Sequence, residues 1–231
     1  MAINVDTVYQ RVLAILNKEQ RGFLTPQKFN LFANQVQLDT LEQYFYDLDL
    51  QLSRPGNSSV HADVIDILED KISTFEKSAT LTFANGHYIV PVDLYRITSV
   101  TTANLNEAYR ISRKELITVI QTPLAQPTET RPVYTKDSQG LTIFGSTSYD
   151  GSQVCSVDYI KIPTTVAWAY TSVLGTPQYN ASNSVDFDLD PSEETDLVIN
   201  ILRLAGLEVR DLSVYEVANR ENLTEEQQEK I

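Results

Sequence analysis

The chain has 231 residues, enough for one packed domain carrying an insertion or for two small domains. Apolar residues make up 42% and charged residues 21%, the balance of a folded globular protein, which argues against wholesale disorder. The 31 acidic residues outnumber the 18 Lys and Arg residues, and the formal net charge of −13 disfavours binding to phosphate backbones. No apolar run reaches the roughly 20 residues of a membrane helix, and the single cysteine, Cys155, cannot form an internal disulfide.

The amino-terminal part of the chain has the spacing of amphipathic helices. Apolar residues recur every three to four positions over residues 6–18, which predicts a first helix. A second helix starts at Thr25 and Pro26, a capping residue followed by a proline at the first helical position, and ends before residues 54–56. We expect these two helices to form an antiparallel pair. A helical turn is predicted over residues 62–70.

The middle of the chain has the pattern of short strands. Asn85 and Gly86 lie between alternating runs, and this dipeptide predicts a hairpin because both turn positions require positive φ. Further strands are predicted at residues 95–101, 108–111, 133–135, 141–144 and 154–162, with a short helix at 113–121. The pattern therefore predicts an antiparallel sheet. Residues 176–188 show little periodicity and are predicted as a connection.

A final helix is predicted from Asp190, with Pro191 in its first position and Glu193 reaching back to complete a capping box. Together the elements predict an α+β fold. Amino- and carboxy-terminal helices form a helical part, residues 1–71 and 187–231, which is interrupted by a β-rich insertion at residues 72–186. The chain ends in a polar tail.

Acidic residues are concentrated in the 186–196 segment, where alternating carboxylates suggest a cation site. An EF-hand loop starting at Asp186 would require glycine at its sixth position and glutamate at its twelfth, and those positions hold Pro191 and Leu197. Helix capping accounts for the same carboxylates. The alternative function that stays open is a small cation-dependent hydrolase or binding enzyme using Asp186, Asp188 and Asp190.

Candidate catalytic side chains are few. His61 and His87 are the only histidines, and the sequence contains no Gly-x-Ser-x-Gly turn that would present a nucleophile. Cys155 lies within a predicted strand, where a buried and inert thiol is the usual case. We therefore expect no enzymatic activity, no catalytic residue, no cofactor and no metal site.

Three consecutive aromatic residues, Tyr44, Phe45 and Tyr46, point about 100° apart on a helix and cannot all face one small core. At least one is either a half-exposed tyrosine or a subunit contact, and Tyr44 and Tyr46 are the candidates for contact. The tail is another candidate, because burying so polar a stretch on its own chain recovers little of the ordering cost. The tail residues assigned to partner contact are Arg220, Leu223, Gln227, Gln228, Lys230 and Ile231.

The order of elements resembles the neck, adaptor and ring proteins of tailed bacteriophages, including those of crAss-like and marine phages. The likeness is carried by stretches spread along the chain rather than by a chemical motif. These stretches are residues 5–48, with 17–22, Thr25-Pro26 and 43–46 within them, residues 92–100, residues 159–163 followed by Trp168, and residues 191–206.

This resemblance implies a virion structural protein, a head-to-tail connector subunit that forms a homo-oligomeric ring, often twelvefold. Such a ring docks on the portal, on tail or neck proteins, or on both, and DNA passes through it without specific binding. The resemblance also implies assembly in the bacterial host cytoplasm and a final position in the neck of the virion.

Overall fold

The structure, a computed structural model, describes residues 2–18, 24–53, 59–145, 149, 151, 153–173 and 176–209. Helices and a sheet occur together, and the predicted α+β class is confirmed. The chain divides into two compact units: unit 1 is Met1–Thr74 with Pro163–Ile231, and unit 2 is Phe75–Ile162. Among the described residues, none of the helices has the length and apolarity needed to span a membrane.

The described residues form five helices: α1 (Val5–Lys18), α2 (Pro26–Ser53), α3 (Ser59–Ser73), α4 (Arg113–Gln121) and α5 (Glu194–Val209). The predicted turn at residues 62–70 is thus part of a longer helix, α3. The expected pairing of α1 with α2 is not the main packing of either helix. Instead α2 packs on α3 and α5, and α1 packs on α5. Helices α1 and α2 meet at the rings of Tyr9 and Phe29, whose centroids lie 4.8 Å apart.

The described strands are β1 (Glu76–Ala84), β2 (His87–Ile89), β3 (Leu94–Thr102), β4 (Tyr109–Arg110), β5 (Val133–Lys136), β6 (Leu141–Phe144), β7 (Cys155–Lys161), β8 (Tyr170–Val173) and β9 (Thr176–Tyr179). The first seven form one sheet in the order β3-β7-β1-β2-β6-β5-β4. The prediction of a purely antiparallel sheet is wrong at one edge, because β4 pairs with β5 in parallel. Parallel neighbours need a crossover connection, and α4 with its following loop supplies it.

The predicted turn between β1 and β2 is confirmed, with φ of 53° at Asn85 and 84° at Gly86. The sheet curls until its two edges meet. An isolated bridge pairs Thr101 at the end of β3 with Glu107 just before β4, and the N–H of Ala108 donates to Val100 O at 2.8 Å. The enclosed side chains form the core of unit 2, which includes Leu81, Tyr88, Val100, Tyr134, Leu141, Ile143, Val157 and Tyr159.

Unit 2 ends at Ile162 rather than at residue 186, because the chain beyond it packs within unit 1. There β8 and β9 form a hairpin that the sequence did not predict. Tyr170 and Tyr179 at its base stack on the buried ring of Trp168, with centroids 5.9 and 5.7 Å away. The Trp168 Nε1–H donates to Asp6 Oδ1 at 2.8 Å, which ties this segment to α1.

An amide ladder, defined by Asn30, Asn34 and Gln37, holds the extended segment 164–168 on α2. The helix rises 1.5 Å per residue, so Asn30 and Asn34 are about 6 Å apart along it, close to the roughly 6.6 Å between alternate residues of an extended chain, while Asn34 and Gln37 are about 4.5 Å apart. Every second residue of the segment 164–168 has its backbone hydrogen-bonded by one of these amides, as a neighbouring β-strand would do. The Asn30 amide bonds Trp168 N (2.8 Å) and O (3.4 Å), Asn34 bonds Val166 N (2.8 Å) and O (2.9 Å), and Gln37 bonds Thr164 O (2.9 Å).

Candidate assembly surfaces

The two predicted contact tyrosines differ in exposure. Tyr44 is only 5% exposed because it faces α3 and α5, and Lys71 Nζ lies 5.4 Å from its ring centroid. Burial, and then the nearby Glu193 carboxylate, raise the pKa of the Tyr44 phenol far above its ordinary value. Tyr44 is therefore a packing residue of unit 1 and not a surface contact. Tyr46 is 63% exposed, and its role in contact stays a prediction.

The predicted contact residues of the tail lie outside the described residues. They are Arg220, Leu223, Gln227, Gln228, Lys230 and Ile231. Their assignment to partner contact stays a prediction.

Helix α2 carries apolar residues on the side away from its packed face. Leu31, Leu38, Phe45 and Leu52 follow one another at seven-residue intervals. The two end members are 70% and 62% exposed, and the two middle members are half-buried. We call the exposed side the outer face of α2, formed by Leu31, Asp39, Glu42, Tyr46, Asp49 and Leu52. It combines large exposed apolar side chains with polar neighbours, and such an exposed apolar surface is a candidate for contact with another protein.

A second exposed apolar surface lies in unit 2 along α4. Ser112 caps this helix through a full capping box with Glu115. All of α4 is described, and none of its residues is buried. We call the α4 face the side formed by Arg113, Lys114, Ile117, Ile120 and Leu124, all exposed. The sequence predicted the helix but not this face, although Ile117 and Ile120 have the spacing of residues on one side of a helix, and Leu124 follows in the turn after it.

Charge is divided unequally between the two units. Unit 2 contains eight Lys and Arg residues and eight Asp and Glu residues, so its formal net charge is zero. Unit 1 contains ten cationic and 23 acidic residues and carries the whole net charge of −13. Contact between two copies of unit 1 therefore brings like net charges together, whereas unit 2 carries no net charge.

The acidic segment at residues 186–190 has no helix or strand and bends at Asp188 and Leu189, with Phe187 and Leu189 buried. The three carboxylates that alternate with them each accept a hydrogen bond from a backbone N–H group in a different part of the chain. Asp186 accepts from Val5 N, Asp188 from Thr164 N and Asp190 from Ser192 N, each at 2.9 Å. In the part of the chain that the structure describes, no three His, Cys, Asp or Glu side chains form a group that could hold a metal ion.

Glu193 does not complete the predicted capping box. It is buried, and its Oε1 lies 2.6 Å from Lys71 Nζ, so it forms an ion pair between the start of the last helix and α3. Glu194, the next residue, pairs with Arg11 of α1 at 3.0 Å. The capping half of the prediction is correct, because Asp190 bonds Ser192 N.

Replacing Asp190 by alanine should lower the free energy of unfolding by about 1 kcal/mol, the usual cost of losing a helix cap. The hydrogen bonds from Ser192 lower the pKa of the Asp190 carboxyl. A lowered pKa in the folded state gives stability at pH values above the ordinary aspartate pKa, and this stability is lost as the pH falls through the lowered value. Urea unfolding at neutral and acidic pH measures both effects. Equal stability of parent and variant at neutral pH would contradict the capping role.

The two candidate catalytic side chains that the structure describes, Cys155 and His87, have structural surroundings. Cys155 is fully buried in unit 2, and burial raises the pKa of its thiol, which disfavours the reactive thiolate. His87 Nδ1 lies 3.1 Å from Thr142 Oγ1 and 3.8 Å from Asp137 Oδ2. The side chain of His61 lies outside the described residues.

No protein-family model matches this chain, and neither does any curated protein.

Proposed function

We propose that this chain is a non-catalytic structural subunit that assembles with copies of itself into a ring. The observation that supports it is the outer face of α2, where Leu31, Tyr46 and Leu52 are each more than 60% exposed on one long helix. Exposed aliphatic and aromatic side chains on one side of a helix gain free energy when another protein covers them. Assembly with further copies provides that cover.

The place of such a ring is proposed from the resemblance. The likeness to neck, adaptor and ring proteins of tailed bacteriophages points to a head-to-tail connector, with portal, tail or neck proteins as its further partners. The net charge of −13 agrees with this proposal, because an acidic channel wall lets DNA slide past without binding it.

The purified protein should form a discrete multi-subunit species, which native mass spectrometry and light scattering over a concentration series would measure. Introducing Glu at both Leu31 and Leu52 should weaken assembly by at least about a hundredfold, because each buried leucine contributes about 2 kcal/mol. Ile67→Glu is the control, at a position on α3 that is 55% exposed. A parent protein that stays monomeric at all concentrations, alone and with candidate neck proteins, would overturn the proposal.

A further inference from the structure

The two exposed apolar faces, in different units of the chain, carry opposite charges. The α4 face begins with Arg113 and Lys114, and the outer face of α2 carries Asp39, Glu42 and Asp49 beside its apolar residues. All five charged side chains are exposed. The charges flanking one face therefore complement the charges flanking the other.

Contact between identical faces is electrostatically unfavourable. Two outer faces of α2 would bring six carboxylates together within surfaces of unit 1, which already carries the whole net charge. Two α4 faces would bring two Lys114 and two Arg113 side chains together, with each Arg113 lying 3.5 Å from Asp137 of its own chain. The mixed contact instead sets these cations against the carboxylates of α2, and such complementarity favours one arrangement over the others.

The apolar parts of the two faces lie mainly on helices. Ile117 and Ile120 lie on one side of α4, and Leu124 lies in the turn that follows this helix. Leu31, Tyr46 and Leu52 lie along the outer face of α2. Apolar side chains on two helices pack by fitting the ridges of one helix into the grooves of the other.

We infer that the α4 face of one copy docks on the outer face of α2 of a second copy. This inference rests on the proposed function and names the two surfaces that the assembly uses. Because the surfaces differ, every copy offers one of each, and the contact is heterologous. A heterologous contact generates a ring when the rotation between copies closes.

Two variants that each lack one surface test the contact. Variant A carries Ile117→Glu and Leu124→Glu on the α4 face, and variant B carries Leu31→Glu and Leu52→Glu on the outer face of α2. Each variant alone should be monomeric at concentrations where the parent is fully assembled. An equimolar mixture of the two should form a one-to-one dimer, because A retains an intact α2 face and B an intact α4 face. Native mass spectrometry distinguishes these species by mass.

The controls are Val92→Glu in unit 2 and Ile67→Glu in unit 1, both at exposed positions outside the two faces, and both should assemble like the parent. Thermal melting checks that every variant is folded. If A or B alone assembles like the parent, or if the mixture stays monomeric, the inference is wrong even though the parent forms a ring. A monomeric parent would instead contradict the proposed function itself, so the two failures can be told apart.

Discussion

Gln37→Leu should lower the free energy of unfolding by about 2 kcal/mol, because two polar backbone groups lose their partner when the amide is removed. Gln37 is only 2% exposed, and its amide donates to Thr164 O at 2.9 Å and accepts from Asp188 N at 3.0 Å. Leucine fills a similar volume, so the loss measures the hydrogen bonds of the amide ladder rather than a cavity. Equilibrium unfolding in urea gives the difference.

Gln35→Leu is the matched control for this prediction. Gln35 lies on the same helix, but it is exposed and bonds only Asp39 on the helix surface among the described contacts. Its replacement should change stability by less than about 0.5 kcal/mol. Equal unfolding midpoints for the two leucine variants would show that the ladder does not stabilise unit 1.

Lys71→Met should cost about 3 kcal/mol, since it leaves the buried Glu193 carboxylate without its counter-charge. The pair is short, at 2.6 Å, and the Glu193 side chain is 9% exposed. Adding Glu193→Gln to Lys71→Met should recover more than half of the loss, because a neutral amide is less costly to bury than an unpaired charge. Urea unfolding of the parent, of Lys71→Met, of Glu193→Gln and of the double variant gives the four free energies of unfolding that this comparison requires.

Lys77→Met provides the comparison for an exposed ion pair. Lys77 lies 2.9 Å from Asp93, and both side chains are at least 40% exposed, so solvent screens the interaction. A change below about 1 kcal/mol is expected. If Lys71→Met were no more costly than Lys77→Met, the ion pair of Glu193 would be no more stabilising than a surface contact.

The elements that depend on local chemistry were predictable from the sequence. Asn85 and Gly86 specify their turn through positive φ, and Thr25 with Pro26 and Asp190 with Pro191 specify helix starts through capping. These signals act within a few residues, so no knowledge of the fold is needed to read them.

Elements that depend on distant partners were not predictable in the same way. The hairpin of β8 and β9 contains Pro177 and has no apolar alternation, because nearly all its residues are exposed. The parallel pairing of β4 depends on where α4 returns the chain. The amide ladder consists of polar residues at helical spacing, and a search for apolar periodicity passes over them.

The candidate contact surfaces were likewise only partly predictable from the sequence, because they too depend on distant partners. Three consecutive aromatics on α2 had to point in different directions, but the sequence did not say which of them would be buried. That choice depends on α3 and α5, which cover Tyr44 and leave Tyr46 exposed. The α4 face was missed because an amphipathic helix is normally assumed to turn its apolar residues inward.

The way unit 2 interrupts unit 1 has a consequence for synthesis on the ribosome. Unit 2 is continuous in sequence, and its two ends are joined where Lys161 N donates to Phe75 O at 2.8 Å. Unit 1 joins residues far apart, such as Val5 and Asp186, so it cannot close until the last helix has left the ribosome. Helices α2 and α3 can pack on each other, but the faces of α1 and α2 that pack on α5 have no partner until α5 is made. At about 5–20 residues per second this takes roughly 7 to 27 seconds, during which unit 2 can already fold. The nascent chain is therefore most exposed to aggregation and to chaperones during this interval.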